Sequence, residues 1–187
     1  IKDSNSPNNA TFEKEADIGM TLNHPNIIKC YGYFSDKRNN YLISEPYEKN
    51  NIYNIYKLKK TNTTKLIDWI NQVLSGLEYL TTRNIALNSV YIIIYENIVK
   101  LKYLNISNDT NNTNTMKNNI RLFGKFLQAQ KNDLTQVNNN GTKISSYGTT
   151  QVKAIIKKCL NDEYMNIQNI INDLDKLKLE IEIPLNI

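Results

Sequence analysis

The middle of the chain contains an amphipathic helix followed closely by two β-rich runs. Apolar residues recur at steps of three and four between positions 64 and 82, which predicts a helix with one buried face. The members of this stripe are Leu66, Ile70, Val73, Leu77 and Leu80. Val90–Tyr95 and Ile98–Leu104 then predict two strands joined by a turn at Tyr95-Glu96-Asn97. A long helix beside an antiparallel hairpin favours a mixed α+β domain.

The first quarter of the chain predicts a second, smaller helix-and-hairpin unit. Residues 1–10 are polar and predict a frayed start. A short helix is expected from Thr11, with acidic residues in its first turn, and it should end before Pro25. Ile27–Phe34 and Tyr41–Ser44 predict an antiparallel hairpin, because both runs are rich in β-branched and aromatic residues.

The remaining segments predict further helices separated by polar loops. Residues 51–60 are expected to form a short helix or turn, and residues 105–119 and 131–146 to form loops. Helices are predicted where apolar residues recur at helical spacing, around 120–127, 152–160 and 167–177.

Composition excludes several kinds of chemistry. Asn, Ile and Lys contribute 31, 25 and 20 of the 187 residues, so the chain is Asn-rich, and its one histidine is His24. A single His excludes a His-rich zinc site, and two distant cysteines, Cys30 and Cys159, exclude a CxxC pair. The net charge of +5 comes from scattered lysines, which favours a solvated surface and predicts no nucleic-acid partner.

The sequence also bears on where such a chain acts. No run of about 18 apolar residues occurs, so no membrane-spanning helix and no membrane partner are expected. Two cysteines without a disulfide pattern fit a reducing compartment, and a cytoplasmic location is the expectation.

Three segments, taken together, resemble a eukaryotic protein kinase. Glu15–Phe34 contains Leu-Asn-His-Pro-Asn-Ile-Ile and resembles the end of kinase helix C and the strand after it. Tyr41–Tyr47 resembles the strand that enters the hinge between the two lobes, and Gln72–Leu80 resembles helix E before the catalytic loop. Weaker similarity follows in the same order at Asn97–Leu101, Asn119–Gly124 and Ile156–Leu160.

The resemblance implies a truncated protein-kinase-like fold of the α+β class. After the frayed start at 1–10, one kinase-like domain is expected over residues 11–180, with a tail at 181–187. Within it, residues 11–47 form a remnant small lobe, made of the helix-C-like helix and the hairpin, and include the hinge. Residues 48–180 form a mostly helical large lobe.

The parts that a kinase uses for phosphoryl transfer are absent from this sequence. None of the six glycines is spaced for a Gly-rich phosphate loop. Lys14 lies in the predicted helix and Lys2 in the frayed start, so neither qualifies as the strand lysine. The stretch Thr81–Val90 holds no His, Asp or Glu where H-R-D is expected, and Lys102–Asn105 replaces D-F-G.

The family's site residues survive only as vestiges, and no catalytic residue is predicted. The resemblance implies that Glu15 is the helix-C glutamate, that Ser44 is the gatekeeper, and that Glu45 and Tyr47 lie in the hinge that meets adenine. A solvated carboxylate at Glu15 and a structural connector at the hinge are the favoured interpretations. No metal site is predicted, because one neutral amide oxygen from Asn88 or Asn105 binds Mg²⁺ poorly.

The favoured function is that of a pseudokinase, a regulatory or protein-interaction module that binds another protein, such as an active kinase or another signalling protein. An aromatic binding surface could be formed by Tyr31, Tyr33, Tyr41, Tyr53 and Tyr56, although plain packing is the simpler explanation. No cofactor is expected under this interpretation. The alternative is a fragment of a protein kinase that binds ATP and magnesium and phosphorylates Ser, Thr or Tyr.

Overall fold

The computed structural model describes residues 2–3, 9–36, 39–47, 52–54, 63–95, 98–108, 112–134 and 146–182. Its elements are, in chain order, β1 (Lys2–Asp3), α1 (Asn9–Thr21), β2 (Cys30–Ser35), β3 (Asn39–Ser44), β4 (Ile52–Asn54), α2 (Thr63–Thr81), β5 (Ile85–Tyr95), β6 (Ile98–Asn108), α3 (Asn112–Leu134), α4 (Ser146–Leu160) and α5 (Ile167–Glu182). The fold is of the α+β class, as predicted.

Two small antiparallel sheets organise the described elements. The first has the strand order β1-β3-β2, and the second has the order β4-β5-β6. In the first sheet, Phe34 pairs with Tyr41 and Gly32 with Ile43, which confirms the predicted hairpin. Helix α1 packs against one face of this sheet, where Phe12 meets Tyr33 edge to face at a centroid distance of 5.8 Å.

Helix α2 carries the predicted apolar stripe and is the central helix of the core. Ile70, Val73, Leu77 and Leu80 are all buried, because the three-and-four spacing places them on one face of the helix. Hydrophobic residues from Leu22 to Ile170 form one continuous core around this helix, which includes Ile27, Ile92, Leu101, Phe123 and Ile155.

The segment that follows α1 joins the edge of the second sheet. Ile27 forms a parallel bridge with Leu101 of β6, and the Leu101 amide donates to the Asn26 carbonyl at 2.8 Å. Helix α2 passes close to this segment at Gly76. A Cβ atom there would lie 2.9 Å from Leu101 Cδ1 and 3.1 Å from the Asn26 carbonyl oxygen. The missing side chain lets helix and segment touch.

The carboxyl-terminal helices pack on the other side of the core. Phe123 and Phe126 of α3 are fully buried. Helix α4 crosses α3 at Gly124, where an added Cβ would lie 2.6 Å from Cys159 Cβ. Burial raises the pKa of the Cys159 thiol to about 12, so this cysteine acts as a small apolar packing residue.

Four predictions about local structure were wrong in detail. Residues 52–54 form strand β4, although a helix or turn was expected, because they pair with β5 at Tyr91–Ile93. Residues 105–108 continue β6 and 112–119 begin α3, so much of the predicted loop is regular structure. Within the predicted loop at 131–146, α3 continues to Leu134, and α4 begins at Ser146.

The fourth error concerns the start of the chain. Lys2 and Asp3 form β1 and pair with Asn40 and Asn39 of β3, although residues 1–10 were expected to be frayed. Helix α1 likewise begins at Asn9, two residues before the expected start. Backbone pairing outweighed the polar composition here. The remaining residues of that segment lie outside the described ones.

Among the described residues, no helix is both long enough and apolar enough to cross a lipid bilayer.

Candidate functional site

The hinge candidates lie at the end of β3, and Glu45 is held there by several polar contacts. Its carboxylate accepts a hydrogen bond from the Lys29 amide at 2.7 Å, and both of its oxygens lie 2.8 Å from Lys100 Nζ on β6. Its own amide donates to the Lys29 carbonyl at 2.9 Å. Glu45 therefore connects the first sheet to the second and has little capacity left for a ligand.

Ser44 and Tyr47 are also engaged with protein groups. Ser44 Oγ donates to the Glu45 carbonyl at 3.3 Å, which uses the hinge acceptor next to the gatekeeper position. The ammonium group of Lys102 donates to the Tyr47 hydroxyl and lies 4.5 Å from the ring centroid. Tyr47 packs against the core, and Pro46 between the two residues is exposed. The structure brings Ser44, Glu45 and Tyr47 together as a structural connector.

Glu15 lies on α1 and differs from the expected solvated carboxylate. Its side chain is half-buried, and it interacts with other groups of the protein. The structure also moves Lys2 from a frayed start to strand β1, beside the strand that leads to the hinge. A lysine on this strand, and a glutamate on α1, occupy the kinds of elements that carry the family's lysine–glutamate pair.

The His-Pro-Asn-Ile segment forms a polar junction between α2 and β6. Asn26 is 7 % exposed, and its Nδ2 donates to the Val99 carbonyl at 2.9 Å and to Gln72 Oε1 at 3.1 Å. Gln72 Oε1 in turn accepts the Val99 amide at 2.7 Å. These contacts satisfy buried polar groups that would otherwise destabilise the core.

His24 supports the same junction from its solvent side. Its Nδ1 accepts the Asn26 amide at 3.1 Å, and its Nε2 lies 3.4 Å from Ser75 Oγ. The ring packs on Tyr79 at a centroid distance of 4.7 Å, and the Arg83 guanidinium covers that tyrosine ring at 3.8 Å. Burial, together with the positive charge of Arg83, lowers the pKa of His24 below 6.5.

The region after α2, where the resemblance places the catalytic loop, is a long two-stranded ladder. β5 and β6 pair without a described break in register from Ile85↔Asn108 to Tyr95↔Ile98. Asn88 and Asn105 stand at the same level of the ladder, between the pairs Leu87↔Ile106 and Ser89↔Leu104. The ladder joins the H-R-D position directly to the D-F-G position through backbone hydrogen bonds.

Asn119 of α3 fixes the start of this ladder. It is fully buried, its Oδ1 accepts the Leu87 amide at 3.1 Å, and its Nδ2 donates to the Ile85 carbonyl at 3.0 Å. The same Nδ2 lies 2.9 Å from Thr81 Oγ1 at the end of α2. One side chain therefore bonds the Ile85 carbonyl and the Leu87 amide, which lie on the same edge of β5, and it holds these residues against α2 and α3.

Sequence reasoning missed the three residues that organise this region: Asn26, Lys100 and Asn119. Asn26 lies in the Leu-Asn-His-Pro-Asn-Ile-Ile segment and Asn119 begins the segment Asn119–Gly124, so the resemblance includes both residues without indicating their buried amide contacts. No local pattern separates Lys100 from the other lysines. Among the described residues, no three His, Cys, Asp or Glu side chains converge as metal ligands.

The first half of the chain is similar in sequence to a known protein family. The protein kinase domain family matches residues 1–88. An Aurora kinase of Saccharomyces cerevisiae is 33 % identical over 95 residues, which are 48 % of this chain and 26 % of that protein. The serine/threonine-protein kinase polo of Drosophila melanogaster is 35 % identical over 68 residues, which are 36 % of this chain and 12 % of that protein.

The similarity has clear limits along the chain. An Aurora kinase of Debaryomyces hansenii is 36 % identical over 75 residues and is likewise matched over only 18 % of its length. The chain thus spans about a quarter, or less, of the curated relatives it matches. The family match ends at residue 88, three residues after the long ladder begins. The chain is therefore protein-kinase-like, and the match to that family is a partial one that covers residues 1–88.

Proposed function

We propose that the chain is a catalytically inactive, protein-kinase-like module that acts by binding another protein. The observation that carries the first half of this proposal is the β5–β6 ladder, anchored by Asn119. A kinase needs an aspartate that orients the substrate hydroxyl and another that holds magnesium. Here the corresponding stretches are two paired strands, and neither Thr81–Tyr95 nor Asn97–Asn108 contains Asp, Glu or His.

Magnesium and ATP, which the family implies, do not fit the residues that are present. The Glu45 amide and carboxylate are already bonded to Lys29 and Lys100, and its carbonyl accepts the Ser44 hydroxyl. Backbone groups of the hinge are what adenine would otherwise meet. With no carboxylate in the ladder, the part of the site that should hold magnesium consists of neutral and basic side chains. No step of a phosphoryl transfer can therefore be assigned to this chain.

The outer face of the first sheet supports the protein-binding half of the proposal. Phe34 and Tyr41 stack at 4.6 Å with an interplanar angle of 12°, and Phe34 is 53 % exposed. Ile43, on the same face, is 47 % exposed, and a Cβ at its partner Gly32 would meet nothing within 4 Å. Exposed aromatic and aliphatic side chains that cluster in this way are common at protein interfaces.

Two measurements on the full chain test catalytic inactivity. We expect no transfer of the γ-phosphoryl group to a general acceptor protein. We also expect a Tm shift below about 1 °C on addition of Mg-ATP at about 1 mM, because a ligand stabilises only the state that binds it. An active Aurora-type kinase assayed in parallel is the positive control. Phosphate transfer above the no-enzyme blank would contradict the proposal.

The alternative function, a kinase fragment that still binds nucleotide, has one observation in its favour. Lys2 lies on β1, next to the strand that leads to the hinge, and Glu15 lies on α1. If this pair supported nucleotide binding, Mg-ATP would raise the Tm of the chain by several degrees, and Lys2→Met would remove the shift. An equal shift in Lys2→Met and in the unchanged chain would locate the nucleotide elsewhere.

A further inference from the structure

The positive charge of the chain is concentrated in two packed helices. Helices α3 and α4 contain seven of the 23 basic residues but only one of the 18 acidic residues, Asp133. The rest of the chain has 16 basic and 17 acidic residues and is nearly neutral. The packing of α3 on α4 therefore brings together basic residues that are far apart in the sequence.

The contacts between the helices show that these cations share one side of the pair. The helices run antiparallel, since Gly124 lies against Cys159 and Arg121 reaches Asp162 at 2.5 Å. On a helical wheel, Arg121 and Lys125 lie about 60° and 100° from Gly124, measured in one rotational sense. Lys153 and Lys157 lie about 120° and 160° from Cys159 in the same sense.

Because the helices are antiparallel, equal rotational senses point to the same side of the pair. All four cationic side chains are exposed. We name this surface the basic face; it consists of Arg121, Lys125, Lys153 and Lys157.

Three of the four cations of the basic face have no acidic partner among the residues that the structure describes. Arg121 pairs with Asp162, but no acidic side chain among the described residues pairs with Lys125, Lys153 or Lys157. Arg121 and Lys125 are four residues apart on one helix, and so are Lys153 and Lys157 on the other. Like charges at this spacing repel each other and destabilise a helix, so the arrangement favours an external anionic partner.

We propose that the basic face binds an acidic segment of a partner protein. Arg121 and Lys125 are about 6 Å apart along the axis of α3, and carboxylates on alternate residues of an extended chain are about 6.7 Å apart. The exposed amide side chains of Asn118 and Gln128 lie on the same side of α3 and can bond to the backbone of such a segment. The inference rests on the proposed function only in taking the partner to be a protein.

Two other anionic partners fit this surface less well. A single-stranded nucleic acid is usually bound by stacking on exposed aromatic rings, and the described side chains of α3 and α4 present none. Stable attachment to an anionic membrane usually combines basic residues with an inserted apolar group, and these side chains include no exposed large apolar one.

A titration of the full chain with a short labelled peptide tests the proposal. The probe is a 12-residue peptide with Glu at every second position, and the matched control peptide carries Gln at those positions. By fluorescence anisotropy at about 50 mM NaCl, the Glu peptide should bind and the Gln peptide should not, and about 300 mM NaCl should remove most of the binding. The double variant K125E/K157E should weaken binding by at least about tenfold.

The control double variant K14E/K176E changes the net charge equally at exposed lysines elsewhere. It should weaken binding less than about twofold. An equal loss in both double variants would overturn the proposal, because net charge alone would then explain the binding. Tighter binding to a 12-nucleotide single strand or to phosphatidylserine vesicles would overturn it as well. Neither result would alter the phosphotransfer and nucleotide measurements on which the proposed function depends.

Discussion

Two polar junctions in this molecule are built in the same way, but only one of them contains its central asparagine within the part of the chain that matches the kinase family. At the first, Asn26 joins the segment after α1 to α2 and β6, and it lies inside the part of the chain that matches the family. At the second, Asn119 joins α3 to the end of α2 and the start of β5, and it lies outside that part. Each is a buried amide that bridges two backbone segments. One junction lies inside the kinase-like part of the chain and the other outside it, and both satisfy a buried amide side chain in the same way.

The stretch where the resemblance places the catalytic loop is a paired strand in this structure. From Ile85 onward the chain pairs with β6 as strand β5, and the Ile85 carbonyl and the Leu87 amide bond to Asn119. We therefore expect the second junction to matter to stability at least as much as the first.

Replacing Asn119 should have the largest effect. Asn119→Ala leaves the buried Leu87 amide and Ile85 carbonyl without their partner and should lower the free energy of unfolding by about 3 kcal/mol. Urea denaturation followed by circular dichroism measures this loss. The neighbouring exposed residue provides the control, since Asn118→Ala should change stability by less than about 0.5 kcal/mol. Equal effects at the two positions would show that the hydrogen bonds of Asn119 to Ile85 and Leu87 do not stabilise the fold.

Replacing Asn26 tests the family-like junction with the same chemistry. Asn26→Ala removes the bonds to Val99 and Gln72, and a loss of about 2 kcal/mol is expected because the junction is closer to solvent than Asn119. Asn23→Ala is the matched control, because Asn23 is exposed and contacts Tyr79 through its backbone amide. If Asn26→Ala cost more than Asn119→Ala, the ranking of the two junctions would be reversed.

A methyl group at Gly76 tests how closely α2 must approach the Asn26 segment. Gly76→Ala places a Cβ within 3.1 Å of the Asn26 carbonyl and should destabilise the protein by about 1–2 kcal/mol, even though Ala favours helices. Gly32→Ala enters open space on β2 and should be close to neutral. Thermal unfolding of the two variants compares them directly. A stabilised Gly76→Ala protein would mean that the approach is looser than described.

The ion pair between Glu45 and Lys100 tests whether the hinge connects the two sheets. Both side chains are partly exposed, at 20 % and 27 %, so a double-mutant cycle with Glu45→Gln and Lys100→Met should give a coupling energy of about 0.5–1 kcal/mol. The coupling should shrink at about 1 M NaCl, because salt screens exposed charges. A coupling energy of zero at low salt would show that the ion pair between Glu45 and Lys100 does not stabilise the connection between the two sheets.

A pH titration gives the smallest and most selective change. Since the folded state lowers the pKa of His24 below 6.5, the unfolded chain binds a proton more readily, and stability should fall as the pH is lowered from above 6.5 towards that lowered value. His24 is the only histidine, so the difference in the slope of Tm between about pH 7.5 and 5.5 for the unchanged chain and a His24 variant reports on this residue. His24→Asn should flatten the slope while keeping an acceptor for the Asn26 amide. An unchanged slope would contradict this assignment.

The sequence allowed the helices and hairpins with strong apolar periodicity to be predicted. The stripe on α2 and the β-rich runs of the first hairpin depend on local spacing and composition, and the structure has a helix and an antiparallel hairpin there. The errors fall where pairing between distant residues decides the structure. β4 is a strand because Ile52–Asn54 pair with Tyr91–Ile93. The sequence of residues 52–54 alone does not predict this pairing.

The contacts of the candidate site could not be predicted from the sequence. The resemblance assigns Ser44, Glu45 and Tyr47 to the gatekeeper position and the hinge, and all three side chains bond to other protein groups in the structure. It could not indicate that Lys100 bonds to Glu45 and that Lys102 contacts Tyr47. Which residues the lysines of a strand can reach is unknown until the register of the strand is known. In the same way, the concentration of charge on α3 and α4 becomes visible only once the ends of both helices are known.

The continuous core has a practical consequence for how this molecule can be divided. Sequence similarity to kinases stops at residue 88, but β5 extends from Ile85 to Tyr95, and Leu77, Leu101 and Phe123 belong to one apolar cluster. A fragment cut at the limit of similarity would end inside a strand and expose the apolar face of α2. The segment that is similar to kinases is therefore shorter than the segment that contributes to the core. The ends of a fragment for expression are better chosen from the extent of the core than from the extent of the similarity.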